Sequence, residues 1–251
     1  MNLFIFRSAC ALLSCVLLTA VNAADVQVAV AANFAEPIKA VAAVLEKTTG
    51  HKVVVTLGST GKLYAQIKNG APFDVLLAAN TEAPMQLEKD GLIQPGSRFT
   101  YASGKLVLWS ADALKVDAKG EVLKSSGFRK IAYAAPKVAP YGRAAVQAMH
   151  NMGLSAALAP KLVQGESIGQ TFNFIHTGNA ELGFVALSQV LEQGKLKSGS
   201  MWVVPQAMYE PIRQDAVVLV RGAANPAAQA LVMLLKSPDI KDLIRSYGYD
   251  I

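Results

Sequence analysis

The sequence predicts an α/β fold of two doubly wound lobes, joined by a hinge and holding a ligand cleft between them. Three observations carry this. Short β-branched or alanine-rich strands alternate with helical segments, a pattern that builds parallel sheets with helices on both faces. The series runs once to about residue 100 and begins again from about 105. Glycine and small polar residues mark the points where strands give way to helices. With 251 residues, 52% hydrophobic and only 17% charged, the chain has ample material for a buried core.

The first residues read as a targeting segment. Arg7 is a short positive start, Ala9 to Val21 form an apolar run, and Val21-Asn22-Ala23 offers the small residues a signal peptidase reads. The expected signal peptide is 1–23, and the expected location after cleavage is the periplasm. Both cysteines, Cys10 and Cys15, fall inside it, so the mature chain is expected to contain neither a disulfide nor a thiol. Leu12-Leu13-Ser14-Cys15 loosely resembles a lipoprotein cleavage site, but the apolar run continues beyond Cys15. No later segment reaches the roughly 20 apolar residues of a membrane span.

Val26 to Val30 alternates as a strand, Ala31-Ala32-Asn33 breaks it, and Asn33 is expected to cap a helix with Pro37 in its first turn. Ile38, Val41, Ala42 and Leu45 recur at helical spacing up to Gly50. A β-branched strand at 53–57 stops at Gly58, and a helix runs from Lys62 to Lys68. Phe73 to Ala78 reads as a buried strand and 84–89 as a helix stopped by Gly91. The second series has strands at 105–110 and 130–135, with a short helix at about 119–124 between them. A helix at 142–152 follows, Leu158 to Val163 leads into the Gln164 to Gln170 turn, and a helix spans 171–177. Then come a strand at 182–186 and a helix at 187–193. Ala216 to Val220 is a last strand, and Pro226 opens a terminal helix broken near Pro238. The expected division is 24–104 with 214–251 for lobe I and 105–213 for lobe II, with hinge segments near 103–105 and 211–215.

Four strand-to-helix turns stand out: Ala32-Asn33, Ser59-Thr60-Gly61, Pro140-Tyr141-Gly142 and Ser167-Ile168-Gly169. A helix start offers unpaired backbone N–H groups and the positive end of the helix dipole, which together attract an anion. Any one such turn is an ordinary cap. Four in matching places of a repeated α/β pattern point to one cleft, because ligands of open sheets collect where helices begin beyond the strand ends. Hydrogen bonds to a charged group contribute roughly 1.5–3 kcal/mol each, so a handful of neutral donors is enough to hold a small oxyanion without a salt bridge. A site made only of donors also disfavours hydrogen phosphate, whose proton needs an acceptor. Sulfate matches the charge and acceptors of a larger tetrahedral dianion, and only cavity size separates the two.

Other chemistries fit less well. Ser59-Thr60-Gly61-Lys62 matches the S-x-x-K pattern of serine acyl transferases, with Ser59 as nucleophile and Lys62 as activator, but no Ser-Asp-Asn occurs, and Lys47-Thr48-Thr49-Gly50 is one residue too long for Lys-Thr-Gly. A phosphate-binding Walker loop fails because Leu63 follows Lys62 and position 56 is Thr. His51, His150 and His176 lack metal-ligand spacing and are expected at the surface or at helix ends. Asp74 is expected to be structural. The formal charge of +6 is spread along the chain without basic runs, which argues against nucleic-acid binding.

Taken together, Ala31-Ala32-Asn33-Phe34, Gly58-Ser59-Thr60-Gly61-Lys62-Leu63, Ala71-Pro72-Phe73-Asp74-Val75-Leu76, Ala139-Pro140-Tyr141-Gly142, Leu182-Gly183-Phe184-Val185 and the Tyr247-Gly248-Tyr249 ending resemble the periplasmic molybdate-binding proteins. Those are the substrate-binding components of molybdate ABC importers. The resemblance implies a type II periplasmic binding fold, binding of molybdate or tungstate, an ABC permease with its ATPase as partner, a monomer, no enzymatic activity and no cofactor. It implies ligand contacts from Asn33, Ser59 and Thr60 of one lobe and from the main-chain N–H groups of Tyr141 and Ile168 of the other, with no direct metal ligand. Sulfate or chromate carriage is the alternative within the same class. Where some members have a tyrosine after the Leu-Gly-x-Val strand, this chain has Ala186.

Overall fold

The computed structural model describes residues 23–251; residues 1–22 of the expected leader, with Cys10 and Cys15, lie outside them. Two five-stranded sheets organise the chain. The first takes β1 (Asp25–Ala31), β2 (Lys52–Gly58), β3 (Val75–Leu77), β4 (Phe99–Gly104) and, from much later in the chain, β12 (Ile212–Val218). Its order is β2-β1-β3-β12-β4. The second takes β5 (Leu106–Ser110), β6 (Ile131–Ala134), β7 (Leu162–Gly165), β8 (Leu182–Ala186) and β11 (Ser200–Val203), in the order β11-β5-β8-β6-β7. A small hairpin of β9 (Leu191–Glu192) and β10 (Lys195–Leu196) stands apart from both.

Each sheet is mixed, whereas the alternation predicted parallel sheets. In the first, β1 runs parallel to β2 and β3, while β12 is antiparallel to β3 and β4. The second repeats the scheme, with β6 parallel to β7 and β8 and β5 antiparallel to β8 and β11. The cause is the connection between lobes. Only Lys105 separates β4 from β5, which belong to different sheets, so β5 enters the second sheet antiparallel to β8 and β12 comes back into the first antiparallel to β3 and β4. The strand therefore runs straight from one sheet into the other, and the chain returns through residues 204–211 to β12.

The helices follow from the apolar spacing. In the first lobe α1 (Ala35–Thr49) buries Ile38, Val41 and Leu45, each contributing roughly 1.5–3 kcal/mol by leaving water. They pack with β1, β3, α8 (Pro226–Lys236) and α9 (Pro238–Ser246) into one core, and the break before Pro238 is where the prolines predicted it. On the opposite face α2 (Thr60–Lys68) and α3 (Glu82–Lys89) bury Leu63, Ile67 and Leu87. The second lobe has α4 (Pro140–Asn151), the short α5 (Ser155–Leu158), α6 (Ile168–His176) and the single turn α7 (Leu187–Val190). Its main core includes Ala31, Ala32 and Ala79 from the first lobe, so apolar packing continues across the cleft.

Three expectations need correction. The segment 187–193 is one helical turn followed by a hairpin, not a helix. β4 and β11 were not expected; β4 mixes buried and half-exposed positions without the period-2 alternation that marks a strand. His51 is buried, its Nδ1 accepting from the Ala24 N–H at 3.1 Å, whereas His150 and His176 are exposed as expected.

Candidate functional site

Asn33, Ser59, Thr60, Tyr141 and Ile168 all border a single tight cavity between the lobes, with a volume of about 10 Å³ for the centre of a water-sized sphere. All five are buried, none above 4% exposure. Small residues, Ala31, Ala32, Gly58, Ala79 and Ala139, complete the wall with Pro140, and none of the lining side chains is a carboxylate, a lysine or an arginine. Larger clefts open on either side, one bordered by Lys197 and another by Lys137 and Arg143.

At the start of α2 the extended backbone of Ser59 ends β2, and its side chain makes no capping bond. Its Oγ is buried and has no hydrogen-bond partner among the described residues. Buried hydroxyls are normally paired, so this one is held ready for something else. Thr60 Oγ1 accepts from the Ala79 N–H at 3.0 Å, which leaves its own proton to donate. Gly61 N–H donates to the Val138 carbonyl of the other lobe at 2.9 Å, and a Cβ at position 61 would stand 2.9 Å from Val138 Cα. The absent side chain is what lets the lobes meet here.

The second lobe contributes two helix starts. Pro140 has no N–H, so Tyr141 supplies the first amide of α4, at a position where no intrahelical acceptor exists. Ile168 opens α6 after Ser167, whose Oγ accepts from the Gln170 N–H at 3.2 Å in a regular cap. The Ile168 amide is likewise without an intrahelical acceptor.

Asn33 differs from the expectation that it caps the first helix. It lies in a 3₁₀ turn, Ala32–Phe34, ahead of α1, and makes no cap bond. Its Nδ2 donates instead to Gln214 Oε1 and to the Tyr249 hydroxyl, both at 2.9 Å. Its Oδ1 is buried without a partner among the described residues. Gln214 extends the network: Oε1 lies 3.0 Å from the Tyr101 hydroxyl, which also reaches the Ala78 carbonyl at 3.1 Å, and Nε2 donates to the Tyr141 hydroxyl at 3.2 Å. Ser188 of the second lobe donates to the Asn33 carbonyl at 2.8 Å and lies 3.0 Å from the Tyr249 hydroxyl. Burial pushes the Tyr101, Tyr141 and Tyr249 hydroxyls well above the usual tyrosine range, so all three are neutral near pH 7. Gly104, where β4 passes into β5, makes room: a Cβ there would meet the Tyr141 hydroxyl at 1.9 Å and Gln214 Nε2 at 2.6 Å.

Sequence reading missed Gln214, Tyr101 and Ser188 altogether. The available signal was a polar run, Arg213-Gln214-Asp215, between Ile212 and the apolar Ala216–Val218 end of the strand. The structure assigns Gln214 and Asp215 two environments by a bulge, at which β12 skips Tyr101 in its pairing with β4. Asp215 accepts from Arg98 at 3.0 Å and Thr100 at 2.7 Å, away from the cavity.

Residues weighed for other chemistry are occupied elsewhere. Lys62 Nζ pairs with Glu166 at the surface, and the unpartnered Ser59 Oγ is not hydrogen-bonded to it, so the serine–lysine contact of an acyl transferase is not formed. Asp74 accepts from the Gln27 N–H at 2.8 Å and from Asn225 at 3.2 Å, a structural role. Ala186 caps α7 and packs in the same core as Tyr141 and Ile168, but is not among the cavity-lining residues.

Comparison with known proteins adds the relatives. A family model described as bacterial extracellular solute-binding protein matches residues 26–250. The molybdate-binding protein ModA of Azotobacter vinelandii is 55% identical over 251 residues, covering 100% of both chains. ModA of Rhodobacter capsulatus is 51% identical over 227 residues, covering 90% of this chain and 88% of its own. The solved periplasmic molybdate-binding protein of Azotobacter vinelandii superposes with a TM-score of 0.87 at 41% identity, covering 90% of this chain and 99% of that one. With one family model spanning nearly every described residue and full-length relatives above half identity, the chain belongs to the bacterial extracellular solute-binding protein family.

Proposed function

We propose that this protein captures molybdate or tungstate in the periplasm and delivers it to an ABC-type membrane permease, acting as a carrier and not as an enzyme. The observation that carries the reading is the small, uncharged cavity where a buried Ser59 hydroxyl, unpartnered among the described residues, meets helix starts from both lobes. Ser59 and Thr60 donate through their hydroxyls and Tyr141 and Ile168 through backbone N–H groups; Asn33 adds a donor once its amide is turned over, since its N–H groups otherwise go to Gln214 and Tyr249. A doubly negative tetrahedron replaces its water shell with these donors. At roughly 1.5–3 kcal/mol for each hydrogen bond to a charged group, five of them reach micromolar to nanomolar affinity after the cost of association. The names of the full-length relatives support molybdate as the ligand.

In this reading the two strand connections, around 103–105 and 211–215, act as the hinge on which the lobes close. The mature protein is a monomer that begins after Ala23 and holds the oxyanion as cargo, with no bond from protein to metal. Calorimetric titration of the mature protein with molybdate, tungstate, sulfate and phosphate tests the reading. Molybdate and tungstate are expected to bind at micromolar concentration or below, with sulfate and phosphate much weaker. Sulfate binding as tight as molybdate would reassign the protein to another oxyanion, and no binding of any of the four would end the proposal.

A further inference from the structure

The buried amides of Asn33 and Gln214 occupy one skeleton of heavy atoms that supports two arrangements of protons. In the first, Asn33 gives both N–H groups to Gln214 Oε1 and Tyr249, and Gln214 gives Nε2–H to Tyr141. Oδ1 is then what Asn33 has left for the cavity, and it has no partner among the described residues. In the second, both amides are turned over by half a turn of their terminal torsions. Gln214 Nε2 now donates to Asn33 Oδ1 and to the Tyr101 oxygen, whose own proton goes to the Ala78 carbonyl. The Tyr141 hydroxyl donates to Gln214 Oε1, and Tyr249 donates to Asn33 Oδ1. Every group of the network is satisfied, and Asn33 Nδ2 is released to the cavity as a donor.

The two arrangements select different ligands. A carbonyl oxygen facing the cavity repels a fully deprotonated dianion and accepts the proton of an anion such as hydrogen phosphate. An N–H group facing the cavity does the reverse, because a donor-only site leaves that proton unpaired. The end that Gln214 presents to Asn33 decides the outcome, and Gln214 is itself held from both lobes, by Tyr101 of the first and Tyr141 of the second. It is completely buried on β12, the strand that returns from the second lobe.

We propose that Gln214 is the specificity-determining positioning residue of the site: by presenting Nε2 to Asn33 it turns the Asn33 amide donor-outward and so excludes oxyanions that keep a proton at neutral pH. The inference rests on the anion-carrier reading above. Closure supplies the second half of the lock, since the Tyr141 hydroxyl reaches Gln214 when α4 stands against β12.

The test is the ratio of phosphate to molybdate dissociation constants in the full mature protein near neutral pH. Molybdate is measured by direct calorimetry and inorganic phosphate by competition. Gln214→Met keeps the side-chain length and removes the amide. It is expected to weaken molybdate about ten- to hundredfold while weakening phosphate less, so that the ratio falls by at least about tenfold. Tyr141→Phe, which retains the main-chain N–H and removes only the hydroxyl that holds Gln214, is expected to move the ratio in the same direction and serves if the first variant does not fold. In an Asn33→Leu background the Gln214→Met change is expected to leave the ratio where it is. Equal weakening of both anions, or a ratio shift that persists without Asn33, would show a purely structural glutamine and overturn the inference. If the unmutated protein does not bind molybdate, the carrier reading falls and takes this one with it; an unchanged ratio in a protein that binds molybdate removes this one alone.

Discussion

Ser59 and Thr60 are adjacent, yet only one of their hydroxyls is tied to the protein. Thr60 Oγ1 accepts from Ala79 N–H, whereas Ser59 Oγ has no partner among the described residues. Removing each therefore has a different signature. Thr60→Ala strands a buried N–H, costing about 1–3 kcal/mol of stability and lowering the melting temperature by several degrees even without ligand, in addition to weakening molybdate. Ser59→Ala leaves the melting temperature of the anion-free protein unchanged or slightly raised, and lowers molybdate affinity about tenfold or more. Thermal melts of both variants with and without molybdate, beside calorimetry, separate the two. Equal melting temperatures for the two anion-free variants would mean that the Ala79 contact contributes nothing.

Among the elements, α2 is the one whose start serves both the cavity and the contact between lobes. Gly61 lies against Val138 so closely that an added Cβ has nowhere to go but into backbone. Gly61→Ala is expected to weaken molybdate roughly five- to hundredfold, the range that overpacking of 1–3 kcal/mol implies, because the strain falls only on the closed form. The anion-free protein should melt as before; calorimetry and thermal melts check the pair of outcomes. Elements with a strong period were legible from the residues: β1, α1, β8 and the α8–α9 break all follow apolar spacing or proline placement. The turns at 59–61, 140–142 and 167–169 were legible too, because small residues and prolines mark such places through local backbone chemistry, but the helices begin at Thr60, Pro140 and Ile168, two to three residues before the expected Lys62, Gly142 and Thr171. What local chemistry does not contain is which strand arrives from the far end of the chain. Only the Ala216–Val218 end of β12 is an apolar run in sequence, and the strand's place between β3 and β4, with Gln214 facing Asn33 across 181 positions, is settled only by tertiary packing. The role expected of Asn33 as a cap failed for the same reason: Gln214 and Tyr249, remote in sequence, hold its amide through Nδ2, and its Oδ1 bonds to no N–H of the first turn.

At the level of the whole molecule, the structure is a closed one. Lys62 pairs with Glu166 and Arg143 with Glu82 across the cleft, the latter at 3.3 Å, and the Gly61–Val138 bond lies between them. The ion pairs are exposed and worth at most about 1 kcal/mol each, so the surface charges contribute little beside the buried contacts between the lobes, the Ser188–Asn33 and Gln214–Tyr141 bonds and the shared apolar core. Exhaustive removal of bound anion is expected to enlarge the radius of gyration measured by small-angle X-ray scattering, and addition of molybdate to restore it. Molybdate at about a thousand times its dissociation constant should add about 4 kcal/mol of stability, a rise of roughly 10 °C in melting temperature. A radius of gyration indifferent to molybdate would mean that the lobes do not move.

The threading of the strands decides which parts of the chain each sheet needs before it can form. The second sheet is complete within residues 106–203, but the first waits for β12, which ends at Val218, and for the segment carrying Tyr249. The second sheet can therefore form from one contiguous stretch, whereas the first needs both ends of the chain. Gln214 and Tyr249, which tie down Asn33, lie near the far end of the chain, so the polar floor of the cavity cannot form until nearly the whole chain is free to fold.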